Sequence, residues 1–112
     1  CATSISQYAA IAAYTGGSDC VQAMKDEYAL RRDLLYDGLA RCGFDFPKPE
    51  GAFYMFVPME REMFRAIIDA GVVIIPGDAF GANADNYGRF SYASSRENIT
   101  EALKRIATVT GM

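Results

Sequence analysis

The sequence predicts a small α/β (α+β) domain, with a long helix and two or three short strands forming a mixed sheet covered by helices. Three observations lead there. Apolar residues recur at helical spacing in four segments, one of them running from Asp19 to Gly43. Short β-branched or aromatic runs, Ala52 to Val57, Val72 to Ile75 and Arg89 to Ala93, are bounded by glycine, proline or serine. The 112 residues, about half of them apolar, are enough for one modest core in a single domain.

Taken in order, Ser4 followed by Gln7 resembles a capping box, and an alanine-rich helix over Ile5 to Tyr14 is expected, stopped by Gly16-Gly17. Asp19 and Gln22 repeat the capping pattern. Val21, Met24, Tyr28, Leu35 and Leu39 then fall on one face of the long helix, with Arg31, Arg32 and Asp33 on its wet side and Gly43 at its end. Phe44 to Glu50, with Pro47 and Pro49, reads as an extended connection. Gly51 leads into Ala52 to Val57, a strand apolar on both faces that Pro58 ends. Met63, Phe64, Ile67 and Ile68 mark a short helix stopping at Gly71. Val72 to Ile75 reads as a buried strand, Pro76-Gly77 as a turn and Asp78 to Gly88 as a loop. Arg89 to Ala93 is the third strand. Ser94 and Glu97 cap a last helix carrying Ile99, Ala102, Leu103 and Ile106.

Composition excludes several classes. A net charge of −3 with interleaved signs and no arginine-rich run argues against nucleic acid. No apolar run approaches the roughly 20 residues of a membrane helix, and the first residues carry no signal-peptide pattern. Cys1, Cys20 and Cys42 are an odd number, far apart, and no histidine is present, so neither zinc nor a disulfide framework is expected. Reduced thiols in a cytoplasmic protein fit better.

Arg89 is the residue that points to chemistry. It is the only charged residue between Asp85 and Arg96, and it lies in a strand. An unpaired charge is costly to bury, and the guanidinium fork matches a carboxylate with two parallel hydrogen bonds. Alternation places Arg89, Ser91 and Ala93 on one face and Phe90 and Tyr92, suited to the core, on the other. The Arg89 face is then either solvent-exposed, with the arginine free or paired to a nearby carboxylate, or the wall of a site. The glycines of Pro76-Gly77-x-x-Phe80-Gly81 permit close backbone approach but lack a phosphate loop's lysine. Without histidine there is no serine triad, and Lys25, Lys48 and Lys104 occupy no evident apolar pocket that would suit them to Schiff-base work. No catalytic residue is therefore assigned, and autonomous catalysis by the 112 residues is not expected.

Several linked stretches together resemble one family. They are Pro49 to Phe56 (PEGAFYMF), Ala70 to Gly81 (AGVVIIPGDAFG) and Gly88 to Ala93 (GRFSYA), followed by Glu97-Asn98 and Ala102-Leu103. They are preceded, in the same order, by Thr3 to Ala13 and by Tyr28 to Asp33. This pattern is similar to the C-terminal part of class I aminotransferases, the pyridoxal-phosphate enzymes of the aspartate aminotransferase fold, and covers essentially the whole chain. The resemblance implies that residues 1–112 are the C-terminal small domain, with the cofactor-bearing domain upstream. It implies that Arg89 binds the substrate α-carboxylate, that the Pro76 to Phe80 turn borders the cleft, and that Thr3 to Gln7 lies near the active site of the neighbouring subunit of a homodimer. The family's Schiff-base lysine, its aspartate on the pyridine nitrogen and its stacking aromatic residue do not map onto this sequence, so cofactor-binding residues are not assigned. Amino-group transfer between an α-amino acid and a 2-oxo acid is the implied reaction. Two alternatives stay open: a β-lyase, synthase or regulator of the same fold type, or a stand-alone module binding small acids or partners.

Overall fold

A computed structural model describes residues 1–112. Helix α1 (Ser4–Gly16) is capped one residue earlier than the sequence suggests: Thr3 Oγ1 accepts from the Ser6 amide, and Gln7 reaches back to the Ala2 carbonyl. Helix α2 (Ser18–Arg41) begins at Gly17 with no side-chain cap, and Gln22 instead donates to Asp26 one turn on. The expected stop at Gly43 holds. Gly43 adopts φ 88°, its amide bonds to Ala40, and the Phe44 amide bonds to the Leu39 carbonyl, which closes the helix end in a Schellman motif.

Strand β1 (Tyr54–Pro58) is followed by α3 (Arg61–Asp69), β2 (Ile75–Pro76), a single 3₁₀ turn (Gly77–Phe80), β3 (Tyr87–Ser91) and α4 (Arg96–Thr110). Ser95, not Ser94, caps α4, accepting from the Asn98 amide. The sheet order is β1-β3-β2, and β3 runs antiparallel to both neighbours. The expected mixed sheet is thereby corrected to an antiparallel one. Helix α3 carries the chain from β1 to β2, which leaves a gap between them, and the short 3₁₀ connection reverses the chain so that β3 fills that gap. The expected strand over Val72–Ile75 shrinks to Ile75–Pro76. Val72 and Ile74 are buried while Val73 is 86% exposed, so the segment alternates against the core without joining the ladder. Pro76, expected in a turn, belongs to the ladder instead, opposite Gly88.

One face of the sheet is covered. Met55 and Val57 from β1 and Phe90 with Tyr92 at β3 pack with Leu35 and Leu39 of α2, Ile67 of α3, and Ile99 and Ile106 of α4. At roughly 25 cal/mol per Å² of apolar surface removed from water, this cluster is the main stabilising contribution to the fold. The other face, bearing Tyr54, Phe56 and Ile75, has no helix over it. The expectations of strands buried on both sides and a sheet fully covered by helices are corrected accordingly. Val21 and Met24, expected in the core, are exposed, and α1 buries nothing. From Glu27 onward α2 has the sheet and α4 against it, so α1 and the start of α2 project, giving a body of 52 × 30 × 24 Å. No helix is long and apolar enough to cross a membrane.

Asp33 pins the proline-bearing connection to α2. Its Oδ1 meets Arg32 Nε and Lys48 Nζ, each at 2.9 Å, and these two cations hold its carboxyl below the usual aspartate range, the Arg32 hydrogen bond contributing most. A carboxyl with a lowered folded pKa stabilises above its unfolded pKa of about 4 and loses that contribution as pH falls through the folded value. Because Asp33 is 44% exposed, solvent screens the pair. Asp33→Asn is expected to lower stability at neutral pH by at most about 0.5 kcal/mol, with the deficit shrinking as pH falls below the unfolded carboxyl value of about 4, read from urea midpoints at neutral and acid pH. Gly77→Ala should be more damaging. An added Cβ would strike the Ala84 carbonyl oxygen and come within 2.8 Å of the Tyr87 Cβ, so a loss of about 1–3 kcal/mol is expected in the same measurement.

Candidate functional site

Arg89 occupies the centre of β3, opposite Phe56 on β1 and Ile75 on β2. Alternation directs Phe90 into the core and Arg89 onto the uncovered face, as the sequence predicts. The cleft in which an arginine of this kind was expected is not formed by these residues alone. A cleft of about 320 Å³ between α4 and the Gly71–Ile74 segment does not include Arg89. Arg89 lies instead on an open aromatic platform and is half-buried by its rings.

That platform has a specific geometry. The guanidinium carbon lies 4.2 Å from the Tyr54 ring centroid and 4.3 Å from that of Phe80. Both distances are well inside the range of a cation–π contact. Tyr54 reaches Arg89 diagonally, since Phe56 is Arg89's direct partner and Tyr54 is two residues along the same face. Phe80 comes from the 3₁₀ turn. It meets Phe56 edge-on at 6.2 Å, and Phe56 stacks on Tyr87 at 4.8 Å with 6° between the rings.

Arg89 has no anionic partner. The chain's ion pairs engage Arg31, Arg32, Lys48, Arg96 and Arg105. Arg89 is thus a partly desolvated cation with two rings against its guanidinium and its N–H groups without a protein acceptor. The alternative of pairing with a nearby Asp or Glu is not what forms. The arrangement suits an anionic, planar acceptor in the guanidinium plane.

The start of β1, which carries Tyr54, is held in an unusual conformation. Ala52 has φ 58°, which non-glycine residues seldom adopt. The Tyr92 hydroxyl donates to the Ala52 carbonyl at 2.8 Å, and the Tyr92 amide bonds to the Phe53 carbonyl at 3.0 Å. Burial pushes the Tyr92 hydroxyl pKa upward, so the donor stays protonated through the neutral range. Phe53, packed against Tyr54 with ring centroids 4.4 Å apart, completes this corner.

Tyr54 was not read from the sequence as part of the site, and Phe80 was expected only as the end of a turn bordering the cleft, with no contact to Arg89. Alternation alone puts Tyr54 on one face of β1, but only the β1–β3 register brings it to Arg89. For Phe80 the turn was legible but its approach to Arg89 was not, because that depends on the 3₁₀ geometry. Thr3 to Gln7, by contrast, lies in the projecting helix and no contact joins it to Arg89. Lys25 and Lys104 are exposed and Lys48 is paired with Asp33, so none is placed to hold a pyridoxal group covalently. The residues present do not fit attachment of that cofactor.

The family model for aminotransferase class I and II matches residues 1–106. The chain is 44% identical to the probable aspartate aminotransferase of Methanocaldococcus jannaschii, over 92% of this chain and 28% of that protein. It is 42% identical to the aspartate aminotransferase of Geobacillus stearothermophilus, over 93% of this chain and 29% of that one. The solved aspartate aminotransferase from Thermus thermophilus with maleate superposes with a TM-score of 0.84 at 35% identity, covering 94% of this chain and 29% of the other. The chain therefore spans less than a third of the relatives it matches. With its ordered motifs and its split β-α-β sheet, the chain belongs to the aminotransferase class I and II family.

Proposed function

We propose that these 112 residues form the small domain of a pyridoxal-phosphate enzyme that moves an amino group between an α-amino acid and a 2-oxo acid, and that Arg89 grips the substrate α-carboxylate. The observation that carries the reading is the half-buried, unpaired guanidinium, held against two rings with its N–H groups free. A carboxylate offers two in-plane oxygens to those groups, and such charge-assisted pairs are about twice as strong as neutral hydrogen bonds. The Thermus thermophilus relative was solved with maleate, a dicarboxylate, and the Geobacillus relative is named for aspartate. Both suit an arginine-bearing platform.

The cofactor and its lysine are assigned to the portion of the enzyme outside these residues, since no lysine here is placed to carry it. The bare side chains of Ile5, Tyr8, Ile11 and Tyr14 on α1 support burial against another body, in keeping with a homodimeric parent. Free thiols at Cys1, Cys20 and Cys42 suit a reducing compartment such as the cytoplasm.

In the full-length enzyme, Arg89→Ala is expected to lower kcat/KM for amino-acid substrates about tenfold to hundredfold, the equivalent of losing roughly 1.5–3 kcal/mol from one charge-assisted contact. Steady-state kinetics across a substrate series provide the check. Unchanged kcat/KM would remove Arg89 from the site.

A further inference from the structure

Two aromatic rings lie within cation–π range of the Arg89 guanidinium, and they come from separate elements. Tyr54 is fixed by the β1–β3 ladder and by the Ala52 corner. Phe80 belongs to the 3₁₀ turn and is half exposed, yet it is not loose, because Phe56 meets it edge-on and Phe56 is itself stacked on Tyr87. A guanidinium is a flat cation with two faces and one hydrogen-bonding edge. With two rings this close, contributed by two anchored elements, the guanidinium has less freedom to turn and is partly shielded from water. Its N–H groups, which have no protein acceptor, are thereby presented in a restricted orientation before any ligand arrives. Lysine at this position would offer a point charge with no plane to fix.

We propose that Tyr54 and Phe80 are positioning residues: they clamp the Arg89 guanidinium in a set plane, so that an incoming carboxylate meets a pre-oriented fork and less freedom is lost on binding. This inference rests on Arg89 being the carboxylate-binding group, and it assigns to Phe80 a role in substrate affinity. The clamp acts through Arg89 and touches no reacting atom. Its effect belongs in KM more than in kcat, because the carboxylate is held alike before and during the chemical step. Ordering the cation in advance also favours acceptors that match the orientation in which it is held.

The test uses the full-length enzyme with Phe80→Leu, which keeps apolar bulk but removes the π face, and Phe80→Tyr, which keeps it. Arg89→Lys and Arg89→Ala serve as references. Phe80→Leu is expected to raise KM for amino-acid substrates about threefold to tenfold, a size typical of one cation–π contact, with kcat within about twofold. Phe80→Tyr should restore the parental KM. In an Arg89→Ala background, Phe80→Leu should cost nothing further, since there is no cation left to orient. An unchanged KM in Phe80→Leu, while Arg89→Lys raises KM, would overturn the clamp and leave Arg89 as the carboxylate group. An equal loss in Phe80→Tyr, or an undiminished Phe80→Leu effect without Arg89, would assign Phe80 to folding alone and overturn it too. Unchanged KM in Arg89→Lys and Arg89→Ala as well would dismiss the reading of Arg89 on which the clamp rests.

Discussion

A three-stranded sheet with helices on only one face governs the whole structure. The ladder fixes which side chains point each way, and the helices take the Met55, Val57, Phe90 side. Everything on the Arg89 side must then be stabilised without a helix layer. Aromatic rings provide that stabilisation, stacked on one another and on the one cation among them. Charge and aromatic surface tolerate each other here because the guanidinium is weakly hydrated and its faces prefer rings to water.

Magnitudes separate the parts of this arrangement. A cation–π contact at a partly exposed site contributes about 0.5–1 kcal/mol, and two together do not amount to a strong reason to keep an arginine in a strand. A charge-assisted bond from the free edge to a carboxylate contributes roughly 1.5–3 kcal/mol. On the proposed reading, the rings contribute orientation and the carboxylate contributes most of the affinity. The ion pairs around Asp33 and Glu27 are more exposed or lie along one helix, and they secure local packing rather than a site.

Much of this was legible in the sequence, and for identifiable reasons. The Gly43 and Gly71 stops are readable because the helix ends there need a left-handed residue. Phe90 and Tyr92 alternate with Arg89, so their burial and its exposure follow from strand geometry alone. What failed was whatever depends on distant pairing. Val72 to Ile75 has strong β character, but only Ile75 and Pro76 find a ladder partner in β3. Val21 and Met24 keep helical spacing, yet nothing in this chain lies against them. The direction of β3 was open until α3 and the 3₁₀ turn were placed, and the same turn is what delivers Phe80. The enclosure expected around Arg89 does not form, because no helix or loop of these residues closes over that face of the sheet.

Whether the free edge of Arg89 reads a substrate carboxylate is tested most directly in the full-length enzyme. There, kcat/KM for an amino acid is compared with that for the amine of the same side chain lacking the α-carboxylate, in the parent and in Arg89→Ala. Strong discrimination is predicted in the parent, collapsing in the variant by about tenfold or more. Equal discrimination in both proteins would contradict the role of Arg89, because the carboxylate would then be read by some other group.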